Sequence, residues 1–174
     1  MINPKTMSRL ACVQALYNYE MQEDADVKAI EDLMIEIYKE KKILDPSLYS
    51  ETMSEEESEE LENLQLDINE KYFLKLFRSA IESLYIVDQI ISKNLKASYK
   101  ISNLHLTLLS ILRAGINELK NFHSEVPFNV IISEYTNIAA NMLGNIKEVN
   151  FVNSILQTFR EQIKLENNEL ESNK

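Results

Sequence analysis

A chain of 174 residues with a formal net charge of −10, two glycines, three prolines and one cysteine suits one compact domain. So few turn-forming residues exclude a hairpin-rich β fold, and the lone Cys12 excludes an intrachain disulfide and points to a reducing compartment. No apolar run approaches the roughly 18 residues needed to span a bilayer, and the N-terminus lacks the basic-then-apolar order of a signal peptide, so a soluble, cytoplasmic protein is expected.

The total charge conceals an asymmetry. Residues 45–70 carry ten acids and no bases, whereas residues 71–123 hold eight bases against three acids. Whole-chain charge is therefore a poor guide to partners, and the second window is the expected basic surface.

Leu and Ile recur at intervals of three and four, which predicts an all-α protein. The first helix is expected from Ser8, as N-cap, to Met21, with Leu10, Val13, Leu16, Tyr17 and Met21 inward. Cys12 falls within this apolar pattern and reads as a buried, inert thiol. A second helix is expected over residues 25–43, with Val27, Ile30, Leu33, Met34, Ile37 and Tyr38 on its apolar face, ended by Asp45-Pro46. The low-complexity acidic stretch that follows, at about residues 46–66, reads as a flexible insertion.

From Asn69 to Leu95 the seam Phe73, Phe77, Ala80, Leu84, Val87 and Ile91 predicts one long central helix. Another is expected from Ser102 to Phe122. Pro127 then opens a helix that Gly144 closes, since proline is tolerated in a first turn and glycine takes the left-handed C′ position. After a loop at residues 145–150, a last helix carries Phe151, Val152, Ile155, Leu156, Phe159 and Ile163 on one face. The tail, residues 169–174, is expected to be disordered. One domain, residues 1–168, holds all of this.

Two isolated glycines cannot form a phosphate-cradling loop. His105 and His123 stand 18 residues apart without cysteines or spaced carboxylates, which favours capping or surface roles over metal ligation. No nucleophile has a positioned base. The expected activity is binding, with no catalysis and no cofactor.

Five segments, SRLACVQALYNYEMQ, YFLKLFRSAIES, ILRAGINEL, VPFNVIISEYTNIAA and FVNSIL, resemble in order and spacing the motifs of the bacterial NusB family of transcription antitermination factors. The resemblance covers about residues 4–165 apart from the acidic insertion. It implies two three-helix halves packed side by side and no catalysis. It also implies partnership with the small-subunit ribosomal protein NusE and binding of boxA-type single-stranded RNA in ribosomal RNA operons, within the RNA polymerase antitermination complex and away from membranes.

Carried over by position, the resemblance implies RNA contact by Lys5, Arg9, Gln14, Tyr17, Lys147, Phe151 and Asn153. Basic side chains release condensed counterions, and aromatics stack on unpaired bases. Tyr17 and Phe151 read alternatively as core residues, and Asn153 as a local cap. Leu108 and Leu109 occupy positions where the family commonly faces its protein partner with charged residues, which implies either a more apolar partner-binding surface formed by these two leucines or a register that differs by one residue. Arg113 matches a family arginine and is expected to pair with a carboxylate, Glu134 being the suggested partner. The chain departs from the family in its sparse N-terminal arginines, in a Glu134–Gly144 stretch one residue longer, and in the acidic insertion. Two other readings stand beside this one: a protein-interaction module without RNA binding, and an RNA-docking domain related to ribosomal RNA cytosine methyltransferases, against which the absence of a Gly-rich cofactor loop argues.

Overall fold

The computed structural model describes residues 3–39, 67–95 and 99–172. Seven α-helices occur among them: α1 (Pro4–Glu20), α2 (Val27–Lys39), α3 (Glu70–Glu82), α4 (Leu84–Asn94), α5 (Leu106–Phe122), α6 (Phe128–Leu143) and α7 (Ile146–Ser172). A 3-10 turn, Ile101–Asn103, precedes α5. Helices α1, α2 and α3 form one group and α5, α6 and α7 the other, while α4 lies against α5 and α7. The expected all-α, two-group architecture is therefore present. The acidic insertion, the end of the expected second helix and the last residues of the tail lie outside the described residues.

Several boundaries move for local reasons. Helix α1 begins at Pro4 because Asn3 caps it, its side chain accepting from the Lys5 N–H at 2.9 Å, with proline at the first helical position. Ser8 is not the cap. It is buried, its hydroxyl lies 2.8 Å from the Pro4 carbonyl and 2.9 Å from that of Asn69, and it accepts from the Asn69 N–H at 2.9 Å. This clamp fixes the start of α3, where Asn69 in turn caps the Tyr72 N–H. Tyr17, Met21 and Leu33, expected inside, are exposed.

The helix expected over residues 69–95 is two helices broken at Ser83. The Ser83 hydroxyl lies 2.7 Å from the Ser79 carbonyl and 3.0 Å from Asn117 Oδ1, offering the backbone an alternative partner to the helix ladder. The apolar spacing runs through this break, so the pattern alone conceals it. Asn117 Oδ1 also accepts from Ser79 and Asn121, and its amide donates to the Leu76 carbonyl.

The central helix is α5, packed against α1, α3, α4, α6 and α7 and buried on every side from Leu108 to Leu119. Of its buried polar residues, Arg113, Asn117 and Glu118 have hydrogen-bond partners, while the Ser110 hydroxyl has none among the described residues. At Gly115 an added Cβ would stand 2.9 Å from a methyl carbon of Leu156 and 3.3 Å from the Tyr135 ring, so the missing side chain allows α6 and α7 to approach.

Gly144 ends α6 with φ 60°, as expected. Nothing lies within 4 Å of an added Cβ, so Gly144→Ala introduces only left-handed backbone strain. It is expected to lower the unfolding free energy by about 1 kcal/mol in urea titration. Helix α7 begins at Ile146, directly after this turn: Asn145 Oδ1 accepts from the Lys147 N–H at 3.0 Å. The loop expected over residues 145–150 is thus the first turn of a helix, which continues through Ser172 into the segment expected to be disordered.

Candidate nucleic-acid interface

Arg9, read from the sequence as a phosphate contact, is a core residue. It is 2% exposed, and its guanidinium donates to Glu118 at 2.7, 3.0 and 3.2 Å and to the Tyr72 hydroxyl at 3.0 Å, with Glu134 at 3.5 Å. Glu118 accepts further from the hydroxyls of Tyr72 at 2.6 Å and Tyr135 at 2.8 Å. Burial works against the Arg9 charge, yet the hydrogen bond and charge of Glu118, with smaller contributions from Tyr135 and Tyr72, hold its pKa above the ordinary value. A buried arginine is retained by its partners and has no reach to solvent. Glu134 therefore belongs to Arg9. Arg113 pairs instead with Asp88, through two bonds of 2.8 Å, and with Glu20 at 3.0 Å.

Burial also pushes the Cys12 thiol and the Tyr38, Tyr72 and Tyr135 phenols above their ordinary values of 9.0 and 10.0, with Glu118 adding to the effect on Cys12, Tyr72 and Tyr135. The folded chain keeps these protons where the unfolded chain releases them. The stability they contribute is full below the unfolded values and lost as pH rises beyond them. The urea midpoint is accordingly expected to fall steadily above pH 9, and a midpoint that stays level to about pH 11 would contradict this assignment.

Three of the eight bases of residues 71–123 are matched by carboxylates, in part from outside the window. Lys75 pairs with Glu125, Arg78 with the buried Glu31, and Arg113 with Glu20 as well as Asp88.

Several of the expected contact residues gather where α5 begins and α6 turns into α7. His105 caps α5, its Nδ1 accepting from the Leu108 N–H at 3.4 Å, while its Nε2 lies 3.0 Å from Glu148 Oε1 in the first turn of α7. Two hollows flank this corner. One, about 430 Å³, is lined by Lys147, Glu148 and Phe151 of α7, by His105 and by Tyr99. The other, about 450 Å³, is lined by Gln14 and Tyr17 of α1, with Met34, Thr107 and Met142. Thr107 and Leu108, adjacent in α5, face one hollow each.

The structure thus brings Gln14 and Tyr17 of α1 and Lys147 and Phe151 of α7 to one corner. Tyr17 is 40% exposed and Phe151 half-buried, so each offers ring surface that a wholly core residue lacks. Gln14 is fixed by the Tyr38 hydroxyl, which donates to Oε1 at 2.9 Å. Lys147 is exposed.

Three expected residues stand apart from the corner. Asn153, two positions and about 200° around the helix from Phe151, lines a separate polar cleft, 3.4 Å from Thr136 Oγ1. Lys5 is exposed at the far end of α1, its Nζ 5.1 Å from the Tyr72 ring centroid, and 12 residues of helix separate it from Tyr17 by about 18 Å. Leu109 is buried at 8% exposure and turned into the core. Leu108, 4% exposed, contributes only floor to the first hollow. The expected leucine-rich partner surface is therefore not present on the isolated chain, because α5 is enclosed on all sides. Sequence reasoning missed His105, Glu148 and Tyr99, whose juxtaposition depends on the fold.

The architecture is that of a helical protein whose accessible chemistry at this corner is two hollows with aromatic rings, amides and a lysine. Among the described residues no helix is long and apolar enough to cross a membrane, and no cluster of three His, Cys, Asp or Glu residues suits a metal ion. The NusB family pattern matches residues 6–161, and the chain belongs to the NusB family. It is 33% identical over 161 residues to the transcription antitermination protein NusB of Rickettsia akari (strain Hartford), covering 92% of this chain and 94% of that protein. Its fold is similar to that of T. maritima NusB, with TM-score 0.64, 24% identity, and 92% and 93% of the two chains covered. It is similar also to a chain in the crystal structure of antitermination factors NusB and NusE in complex with dsRNA, with TM-score 0.63, 18% identity, and 93% and 99% coverage.

Proposed function

We propose that this chain is a non-catalytic, cytoplasmic RNA-binding factor of transcription antitermination that acts with NusE on boxA-type RNA of ribosomal RNA operons. The observation that carries the reading is the convergence of Tyr17 and Phe151 on two neighbouring hollows with Lys147 at one rim, in a chain that shares the NusB pattern over residues 6–161. Two rings on either side of one helix start suit a splayed single strand, since unstacked bases find aromatic faces and a nearby cation meets the backbone. The relatives named as antitermination proteins, and the NusB–NusE–dsRNA complex among the similar structures, support the same reading.

The RNA-binding residues are Gln14, Tyr17, Lys147 and Phe151, with Lys5 as an outlying phosphate contact. Arg9 leaves the footprint, and Asn153 is not part of this corner. Binding of boxA RNA in the presence of the cognate NusE is expected to exceed binding of a scrambled strand, and Lys147→Ala is expected to flatten the salt dependence by about one unit of log–log slope. Equal affinity for boxA and scrambled RNA removes the specific-recognition claim. Withdrawal of Arg9 into the core is the one observation favouring an interaction module without RNA binding, and failure to bind any RNA with NusE present would select that reading.

A further inference from the structure

A carboxylate is out of place in a hollow that accepts a polyanion, yet Glu148 lines the one beside Phe151 with 29% of its side chain exposed. It is held there. His105 Nδ1 accepts from the Leu108 N–H, which places the ring proton on Nε2, and Nε2 donates to Glu148 Oε1 at 3.0 Å. This contact orients the carboxylate within the hollow. Phosphate is repelled by such a group, so its natural partner in a nucleic-acid site is the donor edge of a base.

We propose that this hollow selects guanine, the Glu148 carboxylate accepting from the base N1–H and N2 amine; the inference rests on the RNA-binding reading above. Guanine alone among the four RNA bases presents two adjacent donors on its Watson–Crick edge, matching the two oxygens of a carboxylate. Adenine and cytosine present one amine beside an acceptor nitrogen, and uracil one N–H between two carbonyls. The remaining lining fits a stacked base. Tyr99, 58% exposed, and Phe151 supply ring surface, Lys147 stands near enough to meet a flanking phosphate, and the exposed Asn103 supplies an amide for the rest of the base edge. A volume of about 430 Å³ falls in the ordinary range for pockets that hold one small ligand. His105 is then a positioning residue and Glu148 the residue that sets base preference.

The test uses the full chain and fluorescence anisotropy against oligouridine strands that carry a single central guanosine, inosine, adenosine or cytidine. The guanosine strand is expected to bind about tenfold tighter than the adenosine and cytidine strands, with the inosine strand, which lacks only the N2 amine, between them. Glu148→Gln replaces one acceptor oxygen by a donor, so it is expected to bind all four strands alike, with no loss of affinity for the strands without guanosine. Equal binding of guanosine and inosine strands by the unaltered chain overturns the inference whatever the variant does. So does a guanosine preference that survives Glu148→Gln in a variant with an unchanged helical circular dichroism spectrum. If the unaltered chain binds no strand, alone or with NusE, the RNA-binding reading itself falls, and the two failures are thereby distinguished.

Discussion

Arg9→Met is expected to lower the unfolding free energy by about 3–5 kcal/mol, because it leaves the Glu118 carboxylate buried without its principal counter-charge. Glu118 is wholly buried, and its remaining donors are the hydroxyls of Tyr72 and Tyr135. Two neutral hydrogen bonds do not replace a guanidinium that meets both oxygens. Adding Glu118→Gln in the same chain makes the node neutral and is expected to recover part of the loss. Urea unfolding followed by circular dichroism reads both values, and a change below about 1 kcal/mol, the size of a surface pair, would place Arg9 at the surface after all. The same substitution distinguishes stability from recognition: with Arg9 outside the footprint, the salt dependence of RNA binding at a temperature where the variant stays folded should be unaltered.

Phe151→Ala and Tyr17→Ala should each weaken binding of single-stranded RNA by about 1–3 kcal/mol, the usual loss when a stacking platform is removed. That corresponds to roughly fivefold to more than a hundredfold in affinity. Both rings also pack partly against the protein, so a fall in affinity must be separated from a fall in stability. Tyr17→Phe provides the control, since it keeps the stacking face and should retain most of the affinity. An affinity unchanged by both alanine substitutions, in folded protein, would remove the corner from the RNA footprint.

Much of the fold was legible because its signals are local. Pro127 and Gly144 bracket α6 through fixed φ in one case and a left-handed φ in the other, and neither depends on distant residues. The apolar stripes of α3 and α7 follow from helical spacing alone. What could not be read were features decided by partners far along the chain. Arg9 looks like a surface cation until Glu118, 109 residues away, is found against it. Ser83 breaks a helix with help from Asn117, 34 residues on. His105 and Glu148 meet across 43 residues. The local basic excess of residues 71–123 had the same weakness, because Lys75, Arg78 and Arg113 meet Glu125, Glu31 and Glu20 from outside the window. For the candidate interface, family resemblance supplied residue identities, while the short cap by Asn145 decided which of them share a face: Lys147 and Phe151 do, and Asn153 does not.

The enclosure of α5 has a consequence for how the molecule comes apart. A helix that walls both groups cannot lose its neighbours on one side without baring its other contacts, so the two groups have no separate melting points. Amide protons along α5 should exchange with solvent only through whole-molecule opening, whereas those of α2 and the last turns of α7 exchange through small local fluctuations. The recognition corner sits at the N-terminal end of that most slowly exchanging helix, so the residues that would meet RNA are anchored to the last part of the chain to let go.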